Sequence, residues 1–475
     1  MSALRQRLID FMGNINPLVI VFIMSVVFAL LTHVIPGGEF ERRSVLVMGQ
    51  MRETVIPGSF HPARSYPQGF PQLWTVFMRG AVEGAERSFL IMISAGAITA
   101  IIGTGAINAG IQMVIRRTGN LGIGFIPVMV FATGLCSATF GMYEEAIPFI
   151  LIIAPLLLSM GFDSMIGVFI MYWSIAVGFA CGITNPYNVG IAQAIANVPL
   201  YSGIGFRIVC FVVFMTVTSL VIMRYAYQLK KDPTRSLSYE EDIENRAKRH
   251  ADPASHETFE MTPRRAMALL LTLIGFAILM VGLMKYGWGF REIGSLYFWM
   301  GIVIPVVGGL SISQMIDQNI EGMRSVVIAV VMMSAAQILY FILNDAHILD
   351  TILNFFAGYL MAMPKFVISY VMFGISALMA ALLGSASGTA ATLMPILAPL
   401  ADVLHFSKQI VVLGFQFATG AFNFWMPWDG IAFTICSMAG VKFFRYVKHT
   451  AKFAIFVYVP MALVMLLVSV LIGYH

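Results

Sequence analysis

Twice along this chain, an apolar stretch is interrupted where a helix surrounded by lipid should not be broken. In the first half, Gly141-Met142-Tyr143-Glu144-Glu145-Ala146-Ile147-Pro148 leads into Ala154-Pro155-Leu156, and Thr184-Asn185-Pro186-Tyr187-Asn188 interrupts the next run. In the second half, Gly384-Ser385-Ala386-Ser387-Gly388-Thr389 leads into Ala398-Pro399-Leu400, and Phe424-Trp425-Met426-Pro427-Trp428-Asp429-Gly430 interrupts the run after it. Hydrocarbon offers no hydrogen bonds, so a break is tolerated only where protein, water or a ligand satisfies the freed backbone groups. Paired breaks in two halves are how secondary transporters hold substrate and ion near the bilayer midplane. The expected fold is an all-α polytopic membrane protein of two repeats, each with a re-entrant hairpin and a broken helix.

Composition agrees. Of 475 residues, 59% are hydrophobic and 11% charged, against roughly 25% charged in soluble domains. Apolar runs recur from 15–35 to 453–472, and about 20 residues suffice to cross a bilayer core. The run at 15–35, preceded by Arg5 and Arg7, reads as a first span rather than a cleaved leader. The net charge of +5 lies in short loops, as the positive-inside rule predicts, and does not point to nucleic acid. The four cysteines occur singly, without metal-ligand spacing.

The chain divides into an N-terminal repeat at 1–230, a charged cytoplasmic linker at 231–263 and a C-terminal repeat at 264–475. Residues 39–69, with Pro57, Pro62 and Pro67, read as a polar external loop. Stretches 149–159 and 393–404 are too short to cross and read as hairpin halves or buried helices. Five clear spans in the first half do not return the chain to its starting side. Either 70–87 adds a short crossing, or the segment beyond Asn185-Pro186 does. Sliding the chain by 244 positions puts Ala154-Pro155-Leu156 on Ala398-Pro399-Leu400, Ala146 on Ala390 and Phe162 on Phe406. Pro186 is matched with Pro427.

A carboxylate at membrane depth costs roughly 2.5–3.5 kcal/mol on insertion scales, so Glu144, Glu145 and Asp429 are candidate ligands for a cation, a proton or a cationic substrate group. The alternatives are a Glu that anchors the hairpin to an Arg or to backbone N–H groups, and an Asp that marks a helix end. Asn185 and Asn188 flank Pro186, and Asn423 precedes Pro427. Their amides can bind a ligand or cap a kink. Ser385, Ser387 and Thr389, with Gly384 and Gly388, form the second hairpin tip. A helix starting there favours a carboxylate, and close helix packing is the alternative. Gln193 and Gln416 are weaker candidates. Phosphate-loop, zinc-protease and serine-hydrolase motifs are absent from the sequence, so ATP-driven pumping and intramembrane hydrolysis have no support.

Ile35-Pro36-Gly37-Gly38-Glu39-Phe40, Gly141 to Glu145 with Pro148, Asn185-Pro186 with Gly190-Ile191-Ala192-Gln193, and Gly384 to Ser387 with Met394-Pro395 resemble the YfcC-like branch of the anaerobic C4-dicarboxylate carrier family, in the ion transporter superfamily. The resemblance covers nearly the whole chain. It implies a bacterial inner-membrane transporter with inverted repeats, a scaffold, a mobile transport domain and a homodimeric assembly. It also implies a small-molecule substrate and no enzymatic activity or cofactor. Members of the branch carry provisional labels as basic amino acid antiporters. Adjacent glutamates would repel a dicarboxylate but suit a cationic side chain, so the expected substrate is a basic amino acid, exchanged or coupled to a cation. The alternative is a Na⁺- or H⁺-coupled dicarboxylate or short carboxylate carrier, with Na⁺ held near Glu144, Asn185 and Asp429. A non-transporting receptor or scaffold is the reading from another class.

Overall fold

The computed structural model describes residues 17–47, 50–56, 58–110, 113, 122–243, 260–360, 364–403, 406–423, 426 and 429–475. Arg5, Arg7, Trp425, Pro427, Trp428 and much of the charged linker lie outside them. The first half contains α1 (Pro17–Leu31), α2 (Phe70–Glu83), α3 (Ala85–Gly103), α4 (Phe125–Phe140), α5 (Ile150–Ser159), α6 (Ser164–Ala180), α7 (Ile191–Ile195) and α8 (Ile204–Lys231). The second contains α9 (Pro263–Val281), α10 (Phe290–Val307), α11 (Ile312–Ser325), α12 (Val327–Asp345) and α13 (Leu349–Leu360). It continues with α14 (Lys365–Leu383), α15 (Ala386–Val403), α16 (Lys408–Asn423), α17 (Gly430–Met438) and α18 (Phe443–Leu471).

Among the described residues, five helices are long and apolar enough to cross a membrane: 122–140, 204–231, 290–307, 366–383 and 443–471. The pair α2–α3, bent by 53°, makes a sixth if it counts as one span. The chain is a multi-pass membrane protein. Turns divide some of the apolar runs. The run at 89–111, for example, ends as α3 at Gly103, followed by a turn at Thr104-Gly105 with Gly105 at φ +73°.

Helix α2 has 14 residues, about 21 Å at 1.5 Å per residue. That is short of a core about 30 Å thick, so α2 alone is not the missing crossing. It buries Val76 and Gly80 and exposes Phe70, Trp74, Met78 and Val82, each four residues after the last. Helix α11 has the same character, with Met315 and Gly322 buried and Ile312, Ile316 and Ile320 exposed. An apolar stripe left outside on a short helix suits lipid at the bilayer boundary. Each helix rests on the other half of the chain: α2 packs on α12, and α11 on α3.

Backbones approach closely through small residues, as in membrane helix pairs generally. A Cβ on Gly322 would lie 2.5 Å from the Ala95 carbonyl oxygen, and one on Gly96 2.8 Å from that of Asn319. Where α4 crosses α6, a Cβ on Gly178 would fall well inside contact distance of the Gly134 carbonyl. This contact fixes the first hairpin arm against the helix that breaks.

The external segment is not an irregular loop. It forms two small antiparallel sheets, β1 (Gly38–Glu39) with β4 (His61–Pro62), and β2 (Arg42–Val47) with β3 (Gln50–Val55) in the register Arg42↔Val55. The apolar, largely β-branched end Val45-Leu46-Val47 of β2 suits a strand. Asp350, at the start of α13, anchors the segment. It accepts two Arg42 Nη2–H bonds (2.9 and 2.8 Å) and the Phe40 N–H (3.1 Å). His347 pairs with Glu39, and β3 lies on α15.

Past α8, the start of the linker folds back. Asp242 accepts the Ser164 N–H (3.1 Å) and the Ser238 hydroxyl (2.8 Å). Arg445 donates to Glu240 and Glu241, each at 2.9 Å. The Arg445 guanidinium, with Lys442 adding, holds the Glu240 carboxyl below the usual carboxylate range. That pair therefore persists above the usual carboxylate value and loosens only as pH falls through the lowered one.

Gly178→Ala is expected to destabilise the protein by about 1–3 kcal/mol, as overpacking does. Gly205→Ala, where a Cβ meets nothing within 4 Å, should leave stability unchanged. Thermal unfolding in detergent compares the two.

Candidate functional site

The first tip begins where Gly141 ends α4 with φ +78°, a left-handed conformation that glycine adopts without strain. Its N–H returns to the Ser137 carbonyl at 3.1 Å. A tight 3₁₀ turn, Glu144–Phe149, then feeds directly into α5. Glu145 is 7% exposed, and its carboxylate accepts the Tyr143 N–H at 2.9 Å. Glu145 thus makes a backbone anchor of the kind weighed as the alternative to ligand binding. Tyr297 of α10 donates to the Glu145 carbonyl at 3.3 Å.

The first broken helix stops at Ala180 and restarts at Pro186. Its released groups find partners in α4. The Ala138 carbonyl accepts the N–H groups of Ile183 (2.7 Å) and Thr184 (3.2 Å). Asn185 is fully buried and caps the restarted helix, accepting the Tyr187 and Asn188 N–H groups at 2.9 and 3.2 Å. Its own amide donates to the Ser137 carbonyl at 3.1 Å. A Cβ on Gly141 would lie 2.7 Å from Asn185 Oδ1, so tip and break are in direct contact. Asn188 donates to the Phe179 carbonyl (2.9 Å) and to Thr419 Oγ1 (3.3 Å), tying the break to α16. Among the described residues its Oδ1 is buried without a partner.

At the second break, Asp429 caps α17 by accepting the Ile431 N–H at 3.0 Å. Its other oxygen takes a short hydrogen bond from Tyr172 of α6. The Tyr172 and Tyr143 hydroxyls are 3.3 Å apart. One hydroxyl chain thus joins the first tip, where Glu144 and Glu145 sit, to Asp429, and α17 packs against the 144–149 turn. The side chain of Asn423, the last residue of α16, lies outside the described residues, as do Pro427 and the two tryptophans. Asn185 and Asp429 stand 244 positions apart, and each caps the helix that follows its break.

The second tip differs from its expected form. Helix α15 starts at Ala386, seven residues ahead of the stretch read as too short to cross. Gly384, at φ +60°, ends α14, and Ser385 Oγ accepts the Gly388 N–H at 3.3 Å as an N-cap. Ser387 and Thr389 therefore lie at the start of α15, as a helix beginning at this tip requires. Thr389 is buried and donates to the Ser385 carbonyl at 2.7 Å. Among the described residues, nothing lies within 4 Å of a Cβ on Gly384, and a Cβ on Gly388 meets only Ser385. The first tip is closed by contacts, and among the described residues the second is not.

Tyr143 and Tyr172 join Glu145 to Asp429, Asn185 meets the same tip at Gly141 with Asn188 bonded to it, and Glu144 lies beside Glu145 in the tip turn. The structure draws no described hydrogen bond from Ser385, Ser387 or Thr389 to that region, although α15 packs on the 186–190 turn and on α7. The sequence reading missed Tyr143 and Tyr172. Tyr172 carried a signal, because it stands 244 positions before Gln416. Gln193 and Gln416 take part in a buried network around Arg207, which touches the first break.

The family model for the C4-dicarboxylate anaerobic carrier matches residues 16–472. The chain belongs to that family. It is 31% identical to a protein of Escherichia coli K12 named "Putative basic amino acid antiporter YfcC", over 97% of each chain. It is 28% identical to an uncharacterised protein of Haemophilus influenzae, over 83% of this chain and 77% of that one. Two solved transporters share its outline loosely. The Alcanivorax borkumensis YdaH transporter has a TM-score of 0.44 at 14% identity, covering 97% of this chain and 99% of that one. Neisseria gonorrhoeae MtrF has 0.42 at 15%, covering 97% and 96%. The family member described here is accordingly a multi-pass inner-membrane transporter and not an enzyme.

Tyr172→Phe removes the donor to Asp429 and is expected to destabilise the protein by about 1–3 kcal/mol, the range for an orphaned buried acceptor. Combined with Asp429→Asn, it should lose less than the sum of the two single changes, because both remove one interaction. Unfolding of the four-protein cycle in detergent measures this coupling.

Proposed function

We propose that this carrier moves a basic amino acid, by exchange or by coupling to Na⁺ or H⁺. The observation that carries the reading is the contrast between the two tips. One concentrates carboxylates, with Glu145 linked to Asp429 through Tyr143 and Tyr172 and Glu144 in the same turn. The other is the N-terminal turn of α15, with Ser385 and Ser387 beside Gly384, whose Cβ position no described residue approaches within 4 Å. A helix N-terminus favours a carboxylate, and membrane carboxylates favour an ammonium or guanidinium. The basic-amino-acid name of the Escherichia coli relative supports the same substrate.

The two halves, in this reading, are repeats whose breaks close one central site, and Asn185, Asn188 and Asn423 supply neutral ligands to it. A coupling ion would sit near Glu144, Asn185 and Asp429. The homodimeric assembly rests on the resemblance alone. The family's description favours a second reading, transport of a C4-dicarboxylate. There the same carboxylates would bind the coupling cations, which would neutralise the dianion.

Liposomes loaded with unlabelled arginine should accumulate external labelled arginine by counterflow, and succinate-loaded liposomes should not accumulate labelled succinate. Glu144→Gln, Glu145→Gln and Asp429→Asn should each lower arginine counterflow at least about tenfold, the effect of losing roughly 1.4 kcal/mol of binding. Succinate counterflow without arginine counterflow would replace the first reading with the second. Normal transport by all three variants would remove these carboxylates from the site.

A further inference from the structure

Arg207, near the start of α8, is fully buried, and among the described residues it forms no ion pair with a carboxylate. All three of its nitrogens donate to neutral oxygens. Nε–H reaches Gln416 Oε1 at 3.0 Å, Nη1–H the Ser202 carbonyl at 2.6 Å, and Nη2–H Gln409 Oε1 at 2.7 Å. Gln409, Gln416 and Gln193 are 3%, 0% and 0% exposed. Gln193 donates to Gln409 Oε1 at 3.1 Å and accepts the Tyr201 N–H at 2.6 Å.

The chemistry of guanidinium fixes the orientation of this network. Arginine has donors and no acceptor, so each glutamine that meets it must turn its amide oxygen inward. Gln416 then has only its NH₂ group to present on the far side, and there it donates to the Gly182 carbonyl at 3.0 Å. Gly182 lies inside the first helix break, and its carbonyl is one that the break releases. Gly182 also gives Gln416 room: a Cβ there would lie 2.9 Å from Gln416 Nε2. Without a cation behind it, the amide could turn over and set its oxygen against the Gly182 carbonyl.

We propose that Arg207 is a positioning residue for the first broken helix. It acts through Gln416, whose amide it orients to hold the Gly182 carbonyl and so the Asn185 cap three residues on. The inference rests on the transporter reading for its functional consequence, but not for its structural one. Gln416 stands 244 positions after Tyr172, and each sends one donor, from the helix that leads into its own break, to the break of the opposite half. The two residues therefore do equivalent work with different chemistry, and only the Gln416 side uses a buried cation.

Gln416→Glu separates this role from simple structural support. The new carboxylate still accepts from Arg207, as an ion pair, but it has no donor for Gly182. The full-length variant in detergent should melt within a few degrees of the wild type. Amide hydrogen exchange in the peptide covering 181–191 should accelerate about tenfold, the loss of one buried hydrogen bond, with no change in α8 or α16. In arginine counterflow, the half-saturation concentration should rise about tenfold while the maximal rate stays within about twofold. Arg207→Met, which frees the amide to turn, should reproduce the faster exchange at 181–191. Wild-type exchange in that peptide in both variants would overturn the proposal. Faster exchange with an unchanged half-saturation concentration would overturn its functional half. If the wild type itself gives no arginine counterflow, the substrate assignment fails while the exchange measurement still decides the role of Arg207.

Discussion

One carbonyl group carries much of this architecture. The Ala138 oxygen accepts two N–H groups from the interrupted stretch at 183–184. A helix opened inside a nonpolar medium must place each freed polar group against a partner, because an unsatisfied one costs several kcal/mol there. The end of α4 supplies such partners through Ser137 and Ala138. It can do so only because Gly134 and Gly178 let the two backbones meet below the break. The first tip, the first break and the hydroxyl chain to Asp429 all inherit their positions from that crossing.

The architecture was legible where physics leaves few choices. Apolar content marked the membrane protein, and glycine with a following acid or serine marked both tips. Asn185-Pro186 and Pro427-Trp428-Asp429 marked both breaks. The features missed are those set by partners remote in sequence. Nothing local distinguishes Tyr172 from other tyrosines, and its meaning comes from Asp429, 257 residues away. The sheets at 38–62 were hidden because prolines and charges read as loop, while their anchor, Asp350, lies in the second half. The start of α15 was misplaced because Ser and Gly are weak helix formers, yet a Ser385 cap is enough to begin the helix at Ala386.

The two tips begin alike and differ in their surroundings. Gly141 and Gly384 end their helices in the same left-handed conformation and each returns one N–H to the preceding turn. Beyond that, the first tip is filled by Asn185 and Tyr187, while no described residue fills the second at Gly384. A packed tip resists change of shape, while an open tip of small residues leaves room for a ligand close to the backbone. Comparable chain geometry can thus serve as a fixed wall on one side and as a receptive surface on the other.

The crossed resting places of α2 and α11 bear on how the protein is made. Each of these helices lies on a partner from the opposite half, and Arg42 finds its carboxylate 308 residues later. The ribosome delivers the N-terminal helices long before their counterparts exist. Until residue 350 emerges, α2 has no α12 beneath it, and the sheets at 38–62 have no anchor. The early product in the membrane is therefore an open half with exposed small-residue surfaces, prone to wrong helix pairing. Final assembly must wait for the end of translation, so the yield of folded carrier depends on how long that half stays apart from other nascent chains.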